Sequence, residues 1–411
     1  MSNTASIVPR PAINVPGKGG NGSPSPIYLD GFSTTPLAPE AAEAMIDAWS
    51  LPGNANSPHV LGARASGILE NARIEIANLI GANPSEVIFT SGATEANNLA
   101  ILGCARAAKA AKSARNRIVV SAIEHKSVLE PAAWLEAEGY EVVRVSATPY
   151  GVIDLEALAS AVNEQTLLVS VMAINNETGV VQPIERIAAL ARGAGAFFHC
   201  DAAQAVGKWP IDVFELDVDY LSISAHKMYG PMGVGALYVA SGAMRPEAII
   251  AGGGQQSGLR PGTQPIPLIS GFGAAAGLAA SVLNTKEGGA GMLSQRFLAE
   301  LKAAGLPFHV VTGDEIVVPG SACISIDGVA ADELVDILQS KVCISTGSAC
   351  TQGQVLPSHV LMGMGLSHVK ANEVFRVMFG RYNSDLDVVK VSASIVESAN
   401  LLRGATGQVR Q

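Results

Sequence analysis

Lys227 closes the run Tyr220-Leu221-Ser222-Ile223-Ser224-Ala225-His226-Lys227 and is followed by Gly230-Pro231. A lysine after a buried-looking strand has two readings. Its stem can lie along apolar surface while the ammonium reaches water. Alternatively, desolvation lowers its pKa and leaves an amine poised for Schiff-base chemistry. Other strand-like runs end in comparably reactive groups. Phe89 leads into Thr90-Ser91-Gly92-Ala93-Thr94-Glu95, Val120 into Ser121-Ala122-Ile123-Glu124-His125, Val171 towards Asn175-Asn176-Glu177, and Phe198 into His199-Cys200-Asp201-Ala202-Ala203-Gln204. Ser91–Thr94 is either an ordinary capped helix start or an anion site made by free N–H groups and the positive helix end. Asp201 is a helix cap or a buried carboxylate that needs a cation. His125 is a hydrogen-bonded loop histidine or a base. Taken together, a phosphate nest, an acid for a pyridinium nitrogen, an aromatic base and an amine are what pyridoxal 5'-phosphate requires of a protein.

Such groups need strands that end at one rim. Val87–Phe89, Ile118–Val120, Val142–Val145, Leu167–Val171, Ala196–His199 and Tyr220–Ser224 are short, nearly continuous apolar runs separated by turn residues and helical patterns. That alternation predicts an α/β protein with a mostly parallel sheet covered on both faces. Ligands of such sheets sit beyond the carboxyl ends of the strands. Ile68, Leu69, Ala72, Ile76, Leu79 and Ile80 share one face of a helix expected over about 64–80. After about residue 284 the pattern becomes a smaller α+β one, with a strand over 322–326 and a helix over about 331–340. The expected division is a disordered tail over 1–26, a large domain over 36–283, and a small domain made of 27–35 with 284–411.

The chain has 411 residues, 48% hydrophobic and 15% charged, with a formal net charge of −9. This is a well-cored composition. The acidic balance argues against direct nucleic-acid binding. Pro265–Leu283 carries no charge, but its Gly/Ala content and two prolines read as a buried helix, so no membrane association is expected. No metal is expected. Five cysteines, an odd number in a large chain, read as reduced thiols in a cytoplasmic protein. Cys104, Cys200, Cys323 and Cys343 sit in apolar stretches and read as packed thiols. Cys350 differs, because Gly347-Ser348-Ala349-Cys350 reads as a mobile loop.

Ser91-Gly92-Ala93-Thr94-Glu95, Glu124-His125-Lys126, Asn175-Asn176-Glu177-Thr178-Gly179, Asp201-Ala202-Ala203-Gln204 and Ser224-Ala225-His226-Lys227 occur in the order of the class V, fold-type-I pyridoxal-phosphate enzymes. Gly347-Ser348-Ala349-Cys350, Tyr28-Leu29-Asp30 and Thr34-Thr35-Pro36 narrow the resemblance to NifS/IscS-like cysteine desulfurases. It runs from about Tyr28 to Asn383. It implies a seven-stranded-type sheet sandwiched by helices, bound pyridoxal 5'-phosphate, and conversion of L-cysteine to L-alanine with sulfur held as a persulfide for a sulfur-acceptor protein.

Carried over by residue, the resemblance implies that Lys227 bonds the cofactor and moves the Cα proton, and that Asp201 meets the pyridine nitrogen. Asn176 and Gln204 stand beside the ring hydroxyl and the substrate. His125 stacks on the ring and assists proton transfer. Ala93, Thr94, Ser224 and His226 hold the phosphate. Thr263 reaches the phosphate of a second subunit, implying a homodimer. Arg376 takes the substrate carboxylate in a bidentate fork, and Cys350 accepts the sulfur. The sequence departs from the family at Gly31-Phe32-Ser33, where Asn/Tyr-Ser-Ala is more usual, at Gln255-Gln256-Ser257, and in a shorter C-terminal segment. Two rival readings are another class V enzyme, either a selenocysteine lyase or an aminotransferase, and a non-catalytic sulfur-relay scaffold. The sulfur's destination stays open.

Overall fold

The computed structural model describes residues 25–284, 289–346 and 357–409. Cys350 and the expected tail up to residue 24 lie outside the described residues. Strand β1 (Ile27–Tyr28) precedes seven strands that form the large sheet: β2 (Val87–Thr90), β3 (Arg117–Ser121), β4 (Glu141–Val145), β5 (Thr166–Ser170), β6 (Phe197–Asp201), β7 (Tyr220–Ser224) and β8 (Gly235–Val239). Their order is β2-β8-β7-β6-β5-β3-β4. Strands β3 to β7 pair in parallel, and β8 runs antiparallel to both its neighbours. The sequence pattern did not mark β8. Its Gly235 admits no side chain, since a Cβ there would stand 2.4 Å from the Ile223 carbonyl oxygen.

Strands β2, β5 and β7 are buried at every residue, so both faces are covered and the runs read as apolar throughout. The helices Ala93–Ala110, Lys126–Ala137 and Ile184–Gly193 follow β2, β3 and β5 respectively. Helix Ile266–Asn284 is apolar and long enough to cross a membrane by composition alone. It packs against helices Pro39–Trp49 and Val60–Ile80, burying Ile269, Phe272, Ala275, Ala276 and Ala279. Its glycines permit that approach: a Cβ at Gly273 would lie 2.6 Å from the Ala72 Cα, and one at Gly271 2.6 Å from the Met45 side chain.

The remaining strands are β9 (Phe308–Val310), β10 (Ser321–Ile326), β11 (Val342–Cys343), β12 (Ser345–Thr346) and β13 (Val374–Met378). Four of them make an antiparallel sheet in the order β12-β13-β10-β9. It shares a separate core with Leu29, Phe297, Leu334, Phe375, Phe379 and Ile395. Strand β1 pairs in parallel with β11, and the Met378 N–H donates to the Leu29 carbonyl. The chain's first described segment is therefore tied to elements some 300 residues away, and its next turn, Asp30–Ser33, crosses to the large sheet.

Candidate active site

A cleft of about 1000 Å³ opens at the carboxyl ends of the parallel strands, between the two sheets. Ala93, Thr94, His125, Asn176, Asp201, Gln204, Ser224, His226, Lys227 and Arg376 all line it. Thr263 is exposed and does not line it. One expectation about the rim changes. His199 and Cys200 belong to β6, which runs on to Asp201. His199 is fully buried between Ser170 Oγ (2.8 Å) and Ser222 Oγ (3.0 Å) on the flanking strands, and burial lowers its pKa to about 4. Its ring is a neutral cross-strand tie beneath the rim.

Lys227 follows β7 in a single 3-10 turn. Its ammonium donates to the backbone carbonyls of Phe32 and Ser33, the latter at 2.7 Å. Burial, then the Arg376 charge, lowers its pKa to about 8 against the opposing pull of Asp30 and Asp201. An amine so placed is a usable nucleophile near neutral pH.

Asp201 ends β6 at 6% exposure. Its Oδ1 accepts the Ala203 N–H at 2.9 Å, and its Oδ2 accepts from Asn97 Nδ2 at 2.7 Å. Asn97 also donates to Ser127 Oγ at 2.8 Å. Ser127 Oγ stands 2.8 Å from His125 Nδ1, which also accepts the Ser127 N–H at 3.1 Å. Nδ1 is thus the acceptor, and a neutral His125 ring carries its proton on Nε2. Burial, partly opposed by Asp201, lowers the His125 pKa. The chain Asp201–Asn97–Ser127–His125 locks both rim groups. Sequence reasoning missed Asn97, although a polar residue beside Ala96, Leu99 and Ala100 on a buried helical face was its signal.

Helix Ala93–Ala110 starts at Gly92 with no side-chain cap, so its first N–H groups are free to meet an anion. Glu95 does not compete for that role. Its Oε2 accepts the Ser91 N–H at 2.8 Å, its Oε1 pairs with Arg260 at 2.9 Å, and these partners hold it below the usual carboxylate range despite burial. The departing loop 255–257 is anchored too. Gln256 Oε1 accepts from the Phe89 N–H and Arg73, both at 3.1 Å, and Gln255 Oε1 accepts the Gly262 N–H at 3.0 Å.

On the opposite wall, β13 presents Arg376. It donates from Nε to Ser345 Oγ (2.8 Å), from NH1 to the Asn176 carbonyl (2.8 Å) and from NH2 to Ser33 Oγ (3.2 Å). Two further groups, Glu177 and His359, line the cleft, and of these only His359 escaped sequence reasoning. Buried Glu177 accepts from Ser358 Oγ, and burial raises its pKa. His359 Nε2 is 2.8 Å from the Glu124 carbonyl oxygen. Glu124 is fully buried, accepts the Met172 N–H at 2.8 Å, and is pushed well above the carboxylate range by burial and Asp201.

These donors fit pyridoxal 5'-phosphate. Asn176 Oδ1 is buried without a hydrogen-bond partner at the cleft wall, where a ring hydroxyl would satisfy it. The uncapped helix end suits a phosphate, Asp201 suits a protonated ring nitrogen, and Lys227 supplies the amine.

The Aminotransferase class-V family matches residues 27–391. The chain belongs to that family. A protein named cysteine desulfurase IscS from Rickettsia felis is 42% identical over 366 residues, which cover 88% of each chain. A solved structure described as a NifS-like protein superposes with a TM-score of 0.84 at 33% identity, covering 92% of this chain and all of the other. A structure described as SspA in complex with cysteine superposes at 0.74 with 34% identity, covering 87% and 100%. With this membership, pyridoxal 5'-phosphate is the cofactor and the fold is that of fold-type-I enzymes.

Proposed function

We propose that this class V enzyme is a cysteine desulfurase. It converts L-cysteine to L-alanine and moves the sulfur to Cys350. The observation that carries this reading is the convergence of Lys227, Asp201, uncapped helix 93–110 and Arg376 on one cleft. Cysteine desulfurase names among the relatives support it. Selenocysteine lyase, aminotransferase and silent-scaffold readings have no specific observation in their favour.

Arg376 binds the substrate α-carboxylate through its guanidinium fork. Bound pyridoxal 5'-phosphate supplies an electron sink for charge released at Cα. Lys227 Nζ takes the Cα proton, and its lowered pKa keeps part of the population neutral for that task. His125, held by Ser127, would stack on the ring and assist proton transfer, while Gln204 and Asn176 would stand beside the ring hydroxyl and the substrate. Ala93, Thr94, Ser224 and His226 would hold the phosphate. The Cys350 thiolate attacks the substrate sulfur, since a thiol is a weak nucleophile. The substrate's C–S bond breaks, an S–S bond forms, and protonation leaves alanine. One cysteine plus one thiol gives one alanine plus one persulfide. A sulfur-acceptor protein then removes the sulfane sulfur.

The exposed position of Thr263 supports a two-fold homodimer in which this residue completes the neighbouring phosphate site. Light scattering that finds an active, cofactor-saturated monomer contradicts that arrangement. Cys104, Cys200, Cys323 and Cys343 are all free, which supports a reducing, cytoplasmic setting. The deciding experiment is mass spectrometry after L-cysteine. One added sulfur on Cys350 with equimolar alanine is expected. Alanine without sulfur on Cys350 overturns the assignment.

A further inference from the structure

We infer that Ser33 is a specificity-determining positioning residue, which with Asp30 and Ser345 aims the Arg376 fork and thereby selects substrates bearing an α-carboxylate. The inference rests on the proposed amino-acid substrate and adds the device that recognises it. An arginine side chain is long and pays rotamer entropy to hold one direction, so a fork that must meet a carboxylate in two parallel bonds needs its other donors tied down. Arg376 has five N–H groups to place. The Ser345 hydroxyl takes the one on Nε at 2.8 Å, the Asn176 carbonyl takes one on NH1 at 2.8 Å, and the Ser33 hydroxyl takes one on NH2 at 3.2 Å. Among the described residues, each terminal nitrogen keeps one further N–H. Such a pair suits bidentate capture of a carboxylate.

The two hydroxyls are themselves oriented by one carboxylate. Asp30 Oδ1 accepts from Ser345 Oγ at 2.7 Å and from Ser33 Oγ at 2.9 Å, so each hydroxyl spends its proton on Asp30 and turns its lone pairs to Arg376. Asp30 also stands 3.9 Å from the guanidinium. The Phe32 ring lies 5.6 Å from the guanidinium carbon and supports the plane. The same turn offers the Phe32 and Ser33 carbonyls to Lys227. One four-residue turn thus spaces the carboxylate-binding cation from the reacting amine.

The test is equilibrium binding to the cofactor-loaded protein, read as the change in cofactor absorbance. It compares L-cysteine and L-alanine, which carry the carboxylate, with cysteamine, which lacks it. Ser33→Ala is expected to weaken both amino acids about three- to tenfold and to leave cysteamine within about twofold, the loss appropriate to one ordinary net hydrogen bond. Ser33→Thr, which keeps the hydroxyl, is expected to restore most of the affinity. In an Arg376→Ala background, Ser33→Ala is expected to have no further effect. Ser345→Ala gives the same pattern as an independent probe. Equal weakening of cysteamine and cysteine, unchanged cysteine affinity, or an undiminished effect in the Arg376→Ala background overturns the inference. Failure of the desulfurase reading is a separate result, since the parent protein would then bind amino acids but place no sulfur on Cys350.

Discussion

The amine of Lys227 allows the electrostatics of the cleft to be tested without any turnover. Its pKa falls from 10.5 to about 8, first through burial and then through Arg376. At pH 7 an ordinary lysine is about 0.03% neutral, whereas one at about 8 is about 9% neutral, roughly 300 times more nucleophile. Cofactor-free protein treated with cyanate, with carbamoylation followed peptide by peptide by mass spectrometry, should show Lys227 reacting with a midpoint near pH 8. Exposed lysines should serve as the internal standard. Arg376→Met removes a repelling cation and should move the midpoint up. Asp30→Asn removes an attracting anion and should move it down. The folded value lies below the ordinary one, so the folded chain binds fewer protons between about pH 8 and pH 10.5. This group's contribution to stability therefore rises with pH across that window. A Lys227 midpoint near 10.5, or shifts of the same sign in both variants, refutes the reasoning.

Cys350→Ser should still bind L-cysteine, giving spectral changes on rapid mixing, but should release almost no alanine and carry no added sulfur. Alanine formation near the parent rate would move sulfur transfer away from Cys350. Lys227→Ala should stay folded by circular dichroism yet lose both turnover and the near-visible absorbance of bound cofactor. Glu124, buried and shifted by that burial towards its neutral form, should tolerate Glu124→Gln within about 1 kcal/mol in urea unfolding, whereas Glu124→Ala should cost about 2–4 kcal/mol through a cavity and an unpaired Met172 N–H. The raised folded value means that this group's contribution is lost as pH rises through it, so Glu124→Gln should flatten that loss; equal costs for both variants would show that the acid is charged. Asn97→Ala, which breaks bonds to both Asp201 and Ser127, should cost about 2–4 kcal/mol and weaken cofactor binding, checked by unfolding and by cofactor titration.

Most of the cleft's rim was legible in the chain order. Parallel strands buried on both faces need apolar residues along their whole length, and such runs end where the backbone turns out towards a ligand. Asp201 and Lys227 stand at or just beyond strand ends, His125 shortly after β3 in the turn that caps the next helix, and Asn176 in the loop after β5. Local pattern alone located them there. It ended the sixth strand at His199, two residues short of Asp201, because a polar residue inside a strand looks the same in sequence as one beyond it. Only the neighbouring strands, with Ser170 and Ser222 at hydrogen-bonding distance, make a buried histidine affordable. Strand β8 was missed because five residues opening on glycine carry little periodicity, and its place between β2 and β7 is a matter of pairing.

What the sequence by itself determined is the alternating α/β architecture and the identity of the reactive groups, since both depend on residue type and short-range spacing. What only the tertiary structure decided is which distant groups meet. Asn97 joins the end of β6 to the start of helix Lys126–Ala137, Glu177 reaches Ser358, and Asp30 orients hydroxyls 3 and 315 residues away. The Asp30 contacts follow from β1 pairing with β11 and its next turn crossing to the large sheet. Such long-range closure has no local signature, because loop entropy penalises it everywhere equally and only the packed core selects it.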